Sequence, residues 1–167
     1  MKIGIAQTKS VKGDINENIA QHKKWITLAI DHQVNSIFFP ELSLTGYEPT
    51  LAKALAANVA DKAFDDFQEI STANNITIAV GMPTNTTAGI HISMLIFQPN
   101  GVRQTYSKQQ LHADELPYFI AGHKQLILTV AHCKIAPAIC FESLQTNHAS
   151  QAAKLGAAYY VASVAKS

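Results

Sequence analysis

Only two of the 167 residues are cysteines, Cys133 and Cys140. Seven positions apart on or beside one strand, they would sit roughly 20 Å from each other, too far for a disulfide. A disulfide scaffold is excluded, and reduced thiols in a reducing compartment are expected. No apolar run reaches the ~20 residues of a bilayer-spanning helix. The opening Met1-Lys2-Ile3-Gly4-Ile5-Ala6-Gln7 lacks the n-region and h-region of a secretory signal, so a cytoplasmic protein with no membrane partner is expected. Charge is scarce as well. With 15% charged residues, a formal net charge of +1 and no basic run, nothing advertises nucleic acid or anionic lipid. None of the seven histidines pairs at helical i, i+4 spacing or stands in a Cys-x-x-Cys context, so no metal is expected, although His112 falls near Lys108. Gly81, Gly101 and Gly122 form no phosphate-binding loop, and repeats and linkers are missing. What remains is 47% hydrophobic, which at this length suits a single domain, 1–167, with a stable core.

Taken in order, Ile3 to Gln7 reads as a first buried strand. Asp14 caps a helix running to about Gln33, with Glu17 placed as in a capping box. Ser36 to Phe39 is a strand covered on both faces, stopped by Pro40. Residues 41–50 are loop-like, 51–57 a short helix and 61–73 a longer one closed by Asn74-Asn75. Ile76 to Met82 and Ile90 to Phe97 are strands. Asn100-Gly101 turns the second of them into a hairpin with Val102 to Tyr106. Gln109 to Gln125 has no period and reads as a loop lining something. Strands follow at Leu126 to Val130 and Lys134 to Ile139. Ser143 to Leu155 then has helical spacing with Leu144, Ala152 and Leu155 near one face. Gly156 ends this helix, and Tyr159 to Ala162 is a last strand. Helices alternating with strands, plus a hairpin, indicate an α/β domain with a mixed sheet or a pair of sheets.

Three polar residues closely follow predicted strands: Glu41, Lys108 and Cys140. Carboxyl ends of strands are where side chains from several rigid elements converge. A carboxylate can take the thiol proton, and an ammonium can offset that charge and stabilise an oxyanion. The turn at Cys140 would also place the thiol near the positive end of a helix, which favours thiolate. Taken singly, each has an ordinary reading: a buried small thiol, a loop carboxylate, a solvated lysine. The chemistry lies in the set.

Phe39-Pro40-Glu41-Leu42-Ser43-Leu44-Thr45-Gly46-Tyr47, Tyr106-Ser107-Lys108-Gln109-Gln110-Leu111 and Ile139-Cys140-Phe141-Glu142 resemble, in that order, the glutamate, lysine and cysteine motifs of the nitrilase superfamily of carbon–nitrogen hydrolases. The resemblance covers essentially the whole chain. It implies an αββα sandwich, a catalytic set of Glu41, Lys108 and Cys140, no cofactor, and a small amide or nitrile substrate. It further implies that Glu115 positions the lysine, that the Phe141 N–H joins the oxyanion site, and that copies assemble as a homodimer or larger homo-oligomer. Tyr47 and Tyr118 are candidate pocket walls.

After Glu142 the chain departs from the family pattern, carrying Ser143-Leu144-Gln145-Thr146-Asn147-His148 in place of a Phe-Pro-Glu-type segment and an arginine, and it stops at Ser167. A sandwich incomplete at the C-terminus, from truncation of a longer product, is expected. The reaction implied is hydrolysis of a non-peptide carbon–nitrogen bond through a cysteine thioester. Two alternatives stay open: an acyltransferase using the same three residues, and a catalytically silent binding or assembly protein.

Overall fold

Adjacent residues of the central strands point into different interiors, which sets the layering of the molecule. The structure is a computed structural model that describes residues 1–99 and 101–165. Strands β1 (Ile3–Ile5), β2 (Ser36–Phe38), β3 (Thr77–Asn85), β4 (Ile90–Phe97) and β5 (Gln104–Ser107) form one sheet in that order. Its first three strands are parallel and the β3–β4 and β4–β5 pairs antiparallel. Strands β6 (Leu128–Val130), β7 (Cys133–Ile139) and β8 (Tyr159–Ser163) form a second sheet, with β7 antiparallel to β6 and parallel to β8.

Along β2 to β4 the period of two divides the apolar residues cleanly. Ile37, Ile78, Val80, Leu95 and Phe97 pack with Ile19 and Ile26 of α1 (Ile15–Asp31) and Phe67 of α3 (Asp65–Asn74). Phe38, Ala79, Met94 and Ile96 face the other way, against Leu128, Ile135, Ile139 and Val161 of the second sheet. Two sheets therefore lie face to face, with helices α1 and α3 on one outer side. α4 (Thr146–Lys154) belongs to the other outer side and buries His148 and Ala152. This is the expected αββα arrangement.

Local signals account for most boundaries. The Asp14 carboxylate accepts from the Glu17 N–H at 3.0 Å, capping α1. Asn75 ends α3 in the left-handed conformation at φ 52°. The short helix expected over 51–57 is a 3-10 turn, Pro49–Leu51, running into α2 (Ala52–Leu55). Asn100 of the expected hairpin turn lies outside the described residues, but β4 and β5 pair from Ser93↔Ser107 to Ile96↔Gln104.

One expectation needs correction. No helix runs from Ser143 with Leu144 and Leu155 inward. Cys140–Leu144 form a 3-10 turn, Gln145 is extended, and α4 starts only at Thr146. That break resets the helical phase, so Leu144 is 76% exposed and Leu155 is exposed too, while His148 takes the inward position.

Candidate active site

The site is assembled from turns at the ends of β2, β5 and β7. Glu41 follows Pro40 in a tight turn that lies across β3. The Leu44 N–H donates to Gly81 O at 2.9 Å, and the Gly81 N–H donates to Ser43 Oγ at 3.0 Å. Gly81 is required there, because a Cβ would stand 2.3 Å from Leu42 N and 2.5 Å from Pro40 O. His22 holds the turn from below: it stacks on Phe39 with ring centroids 4.0 Å apart and bonds Ser43 Oγ at 2.9 Å. Burial pulls this imidazole down to about 4, so it serves as a neutral strut.

Lys108 continues the line of β5, its N–H donating to Ile92 O at 2.9 Å. The 109–125 loop folds back over it, with the Gly122 N–H donating to Lys108 O at 2.7 Å. Within that loop a turn fixes Glu115, whose carbonyl accepts from the Tyr118 and Phe119 N–H groups. Phe119 enters the core between the sheets. This sends Tyr118 outward: it is exposed and does not line the cavity, so its candidacy as a pocket wall is corrected.

Lys108 is fully buried and joins two carboxylates. Its ammonium donates to Glu41 Oε1 at 2.7 Å and to Glu115 Oε1 at 2.6 Å. Glu115 also accepts from Tyr47 O–H at 3.1 Å and, through Oε2, from the His112 N–H at 2.8 Å. Burial raises the Glu41 carboxyl above the ordinary carboxylate range despite the Lys108 charge. For Lys108, burial lowers the ammonium, but Glu41 and the bonds to both carboxylates outweigh it and hold it above its usual value. An ammonium has three donors. Two are spent on the carboxylates, and the third has no acceptor among the described residues.

Cys140 stands at φ +48°, a left-handed conformation that costs a non-glycine residue about 1–2 kcal/mol. The Ser143 hydroxyl donates to Cys140 O at 2.8 Å and steadies the turn. Both cysteines are free. The helix start expected beside the thiol is only a 3-10 turn, Cys140–Leu144. Burial first, then the Glu41 carboxylate, pushes the Cys140 thiol up to about 11, with the Lys108 charge pulling the other way. A single 3-10 turn offers little dipole to oppose them. The thiol needs a base, and Glu41 is beside it.

Glu41, Glu115, Tyr47, Cys140 and Phe141 line one cavity of about 480 Å³, with His112, Asp114, Ser143, Leu144, Val164 and Ala165 completing its wall. The structure thus brings Glu41, Glu115, Cys140, Tyr47 and Phe141 to one place with Lys108 directly behind. A second cleft, of about 340 Å³ at the ends of β1, β2 and β8, contains none of these chemical groups.

Comparisons with known proteins place the chain in a family. The family model for carbon–nitrogen hydrolases matches residues 2–167. The chain belongs to the carbon–nitrogen hydrolase family. Among curated proteins it is 28% identical over 159 residues to a glutamine-dependent NAD(+) synthetase of Acinetobacter baylyi, covering 92% of this chain and 29% of that protein. A synthetase of the same name from Aquifex aeolicus is 28% identical over 149 residues, covering 84% and 25%. The chain thus spans under a third of the curated relatives it matches. Among solved structures, a mutant amidase from Nesterenkonia sp. AN1, with acrylamide added at its active-site cysteine, superposes with a TM-score of 0.88 at 19% identity, covering 98% of this chain and 66% of that one. The glutamine-dependent NAD+ synthetase of Acinetobacter baumannii superposes with a TM-score of 0.86 at 23% identity, covering 99% and 32%. These superpositions establish the shared fold.

Sequence reasoning missed one buried carboxylate. Glu142 is 0% exposed, and Tyr106, Gln109, His148 and Tyr160 gather around it. The only signal in the sequence was its place two residues after the cysteine, because its partners are scattered from 106 to 160.

Proposed function

We propose that this hydrolase cleaves the carbon–nitrogen bond of a small primary carboxamide, with Cys140 as nucleophile, Glu41 as proton shuttle and Lys108 as oxyanion stabiliser. The observation that carries the reading is one buried ammonium tied at 2.7 and 2.6 Å to two carboxylates, with a cavity-lining thiol next to them. Lys108 occupies Glu41 Oε1, and Oε2, which also accepts a long bond from the Ala165 N–H at 3.4 Å, takes the thiol proton. Glu41 takes the Cys140 proton as sulfur bonds to the carboxamide carbon. The oxyanion that forms accepts from the third N–H of Lys108 and from the Phe141 N–H. As the tetrahedral species collapses, Glu41 returns the proton to nitrogen and ammonia leaves. Water, deprotonated by Glu41, then attacks the thioester, releasing the carboxylic acid and the Cys140 thiol. Glu115 orients Lys108 and, through Tyr47, the cavity wall.

The relatives named for glutamine dependence support a primary carboxamide as the reacting group. Charge around the cavity narrows the rest of the molecule. The described lining carries Glu41, Asp114 and Glu115 but no lysine or arginine. Asp114 stands exposed at the rim, held below the usual carboxylate range by the His112 hydrogen bond. Neutral or ammonium-bearing amides therefore fit better than anionic ones. The proposal extends to a cytoplasmic, reducing setting that keeps Cys140 a thiol, and to a homodimer or larger assembly. Light scattering tests the assembly, and the mass of one 18.1 kDa chain would contradict it.

The direct test is ammonia release from a panel of neutral, cationic and anionic primary amides, for wild type and Cys140→Ser. Release by wild type alone, ordered cationic or neutral above anionic, is expected. Equal release by the variant would overturn the nucleophile, and the reverse order would overturn the charge assignment. Adding an amine acceptor separates hydrolysis from acyl transfer, because a new amide product signals transfer.

A further inference from the structure

We propose that Glu142 is the positioning residue that holds the Cys140 turn and the Lys108 turn in register across the two sheets. This rests on the functional reading above. Its carboxylate lies between two backbone segments that flank the reacting groups. Oε2 accepts from the N–H of Ile139, the residue before Cys140, at 2.7 Å. Oε1 accepts from the N–H of Gln109, the residue after Lys108. Tyr106 on β5, two residues before Lys108, donates its O–H to Oε2 at 2.8 Å. One side chain thus ties the end of β7 in the three-stranded sheet to the end of β5 in the five-stranded sheet, at the level of the thiol.

The surrounding hydrogen bonds fix the carboxylate in turn. With its O–H donating to Glu142, Tyr106 O accepts from His148 Nε2 at 2.8 Å and from Gln109 Nε2 at 3.1 Å. His148 Nδ1 bonds the Tyr160 hydroxyl of β8 at 2.7 Å. Neither lysine nor arginine pairs with Glu142 among the described residues. His148 Nε2, at 3.7 Å from Oε1, is the nearest group able to carry positive charge. Burying a carboxylate this way is expensive, and an apolar side chain of similar volume would pack there at lower cost. A carboxylate offers what an apolar residue cannot: acceptors for two N–H groups on separate backbone segments at once.

That geometry matters because Cys140 is strained. Its φ of +48° is maintained from outside, and the Ile139–Glu142 bond is the fixed point immediately before it. When that bond is lost, Cys140 is free to relax toward negative φ, carrying the thiol away from Glu41 and Lys108. When the Gln109 bond is lost, the lysine turn loosens instead. Glu142→Gln is the informative change. It keeps shape and volume but presents an amide N–H₂ to one of the two N–H groups, whichever way it is turned, so one end is released.

The test measures three things on wild type and Glu142→Gln: thermal stability, kcat and KM on the best amide, and the pH dependence of iodoacetamide alkylation at Cys140. Positioning predicts that kcat falls about tenfold to a hundredfold, the scale of a ~1 Å misplacement. KM stays within about twofold, since Glu142 itself does not line the cavity. The alkylation inflection moves down from about 11 as the thiol leaves the Glu41 carboxylate. A lowered melting temperature with unchanged kcat and unchanged alkylation inflection would mean a purely structural role and would overturn the inference. Tyr106→Phe removes one bond to the carboxylate and keeps both backbone bonds, so it should lose less activity than Glu142→Gln. If Glu142→Gln does not fold, Glu142→Asp carries the test: it keeps the charge but is one methylene too short to reach both the Ile139 and Gln109 N–H groups, so a lowered alkylation inflection supports the inference and an unmoved one with unchanged kcat overturns it. Because alkylation needs no turnover, wild type that hydrolyses no amide would sink the functional reading and leave this result legible on its own.

Discussion

Replacing Lys108 by methionine should destabilise the protein severely, and in a pH-dependent manner. The substitution keeps an unbranched chain of similar length but removes the one ammonium that Glu41 and Glu115 share, at 2.7 and 2.6 Å. All three groups are buried: Lys108 is 0% exposed, Glu115 1% and Glu41 3%. Removing one partner of a buried ion pair costs about 3–5 kcal/mol, because the remaining charge is stranded rather than released to water. For a chain of this size, 1 kcal/mol corresponds to ~2–4 °C, so melting should drop by roughly 6–20 °C at neutral pH. The sign of the pH dependence follows from Glu41. Its carboxyl is already raised by burial, and losing the lysine raises it further, above its unfolded value. A group with a raised folded pKa contributes stability that is complete below the unfolded pKa and lost as pH rises through the folded one. The variant should therefore recover part of its deficit as pH falls from 8 toward 5. Differential scanning calorimetry across that range is the assay. A drop under about 2 °C at neutral pH, or a deficit that does not change with pH, would refute a buried triplet that depends on its cation.

Other consequences follow from the same site. Glu41→Gln should remove turnover, and the alkylation inflection of Cys140 should fall below its wild-type position near 11, because a charge that opposes thiolate is gone; an unmoved inflection would separate Glu41 from the thiol. The wild-type rate should rise with pH through the raised Glu41 carboxyl, which must be unprotonated to act as base, and the pH–rate profile checks whether that limb lies above the ordinary carboxylate range. Gly81→Ala should cost about 1–3 kcal/mol or more and much of the activity, since its Cβ would meet Leu42 N at 2.3 Å and displace the Glu41 turn; calorimetry and ammonia release read both. Asp114→Asn should lower kcat/KM for an ammonium-bearing amide while leaving a neutral amide unchanged, and added salt should shrink the difference.

Much of this was legible in the sequence, and the parts that were not share a cause. Strands such as Ile90–Phe97 and the layered arrangement follow from apolar runs and turn residues, which are local. The convergence of Glu41, Lys108 and Cys140 could be anticipated because each follows a strand, and strand ends gather. The structure after Cys140 could not. Helical spacing over Ser143 to Leu155 was real as a pattern, but the buried Glu142 carboxylate holds a 3-10 turn, and Gln145 breaks the phase before α4 begins. The surroundings of the thiol were hidden for a related reason. Proximity to a helix start is visible in a sequence, whereas burial and an adjacent carboxylate, which dominate here, are tertiary. Tyr118 turned outward because its neighbour Phe119 claimed the core. In each case a long-range partner outweighed a local preference.

The central claim is that Cys140 carries the acyl group, and trapping that intermediate tests it most directly. Wild-type protein mixed with a good amide substrate, quenched in acid and mapped by mass spectrometry, should carry one acyl group as a thioester on Cys140. The adduct should be absent from Cys140→Ala and should decay with release of the carboxylic acid. Ammonia release without any adduct, with Cys140→Ala still active, or an acyl group found on Cys133 instead, would contradict the account.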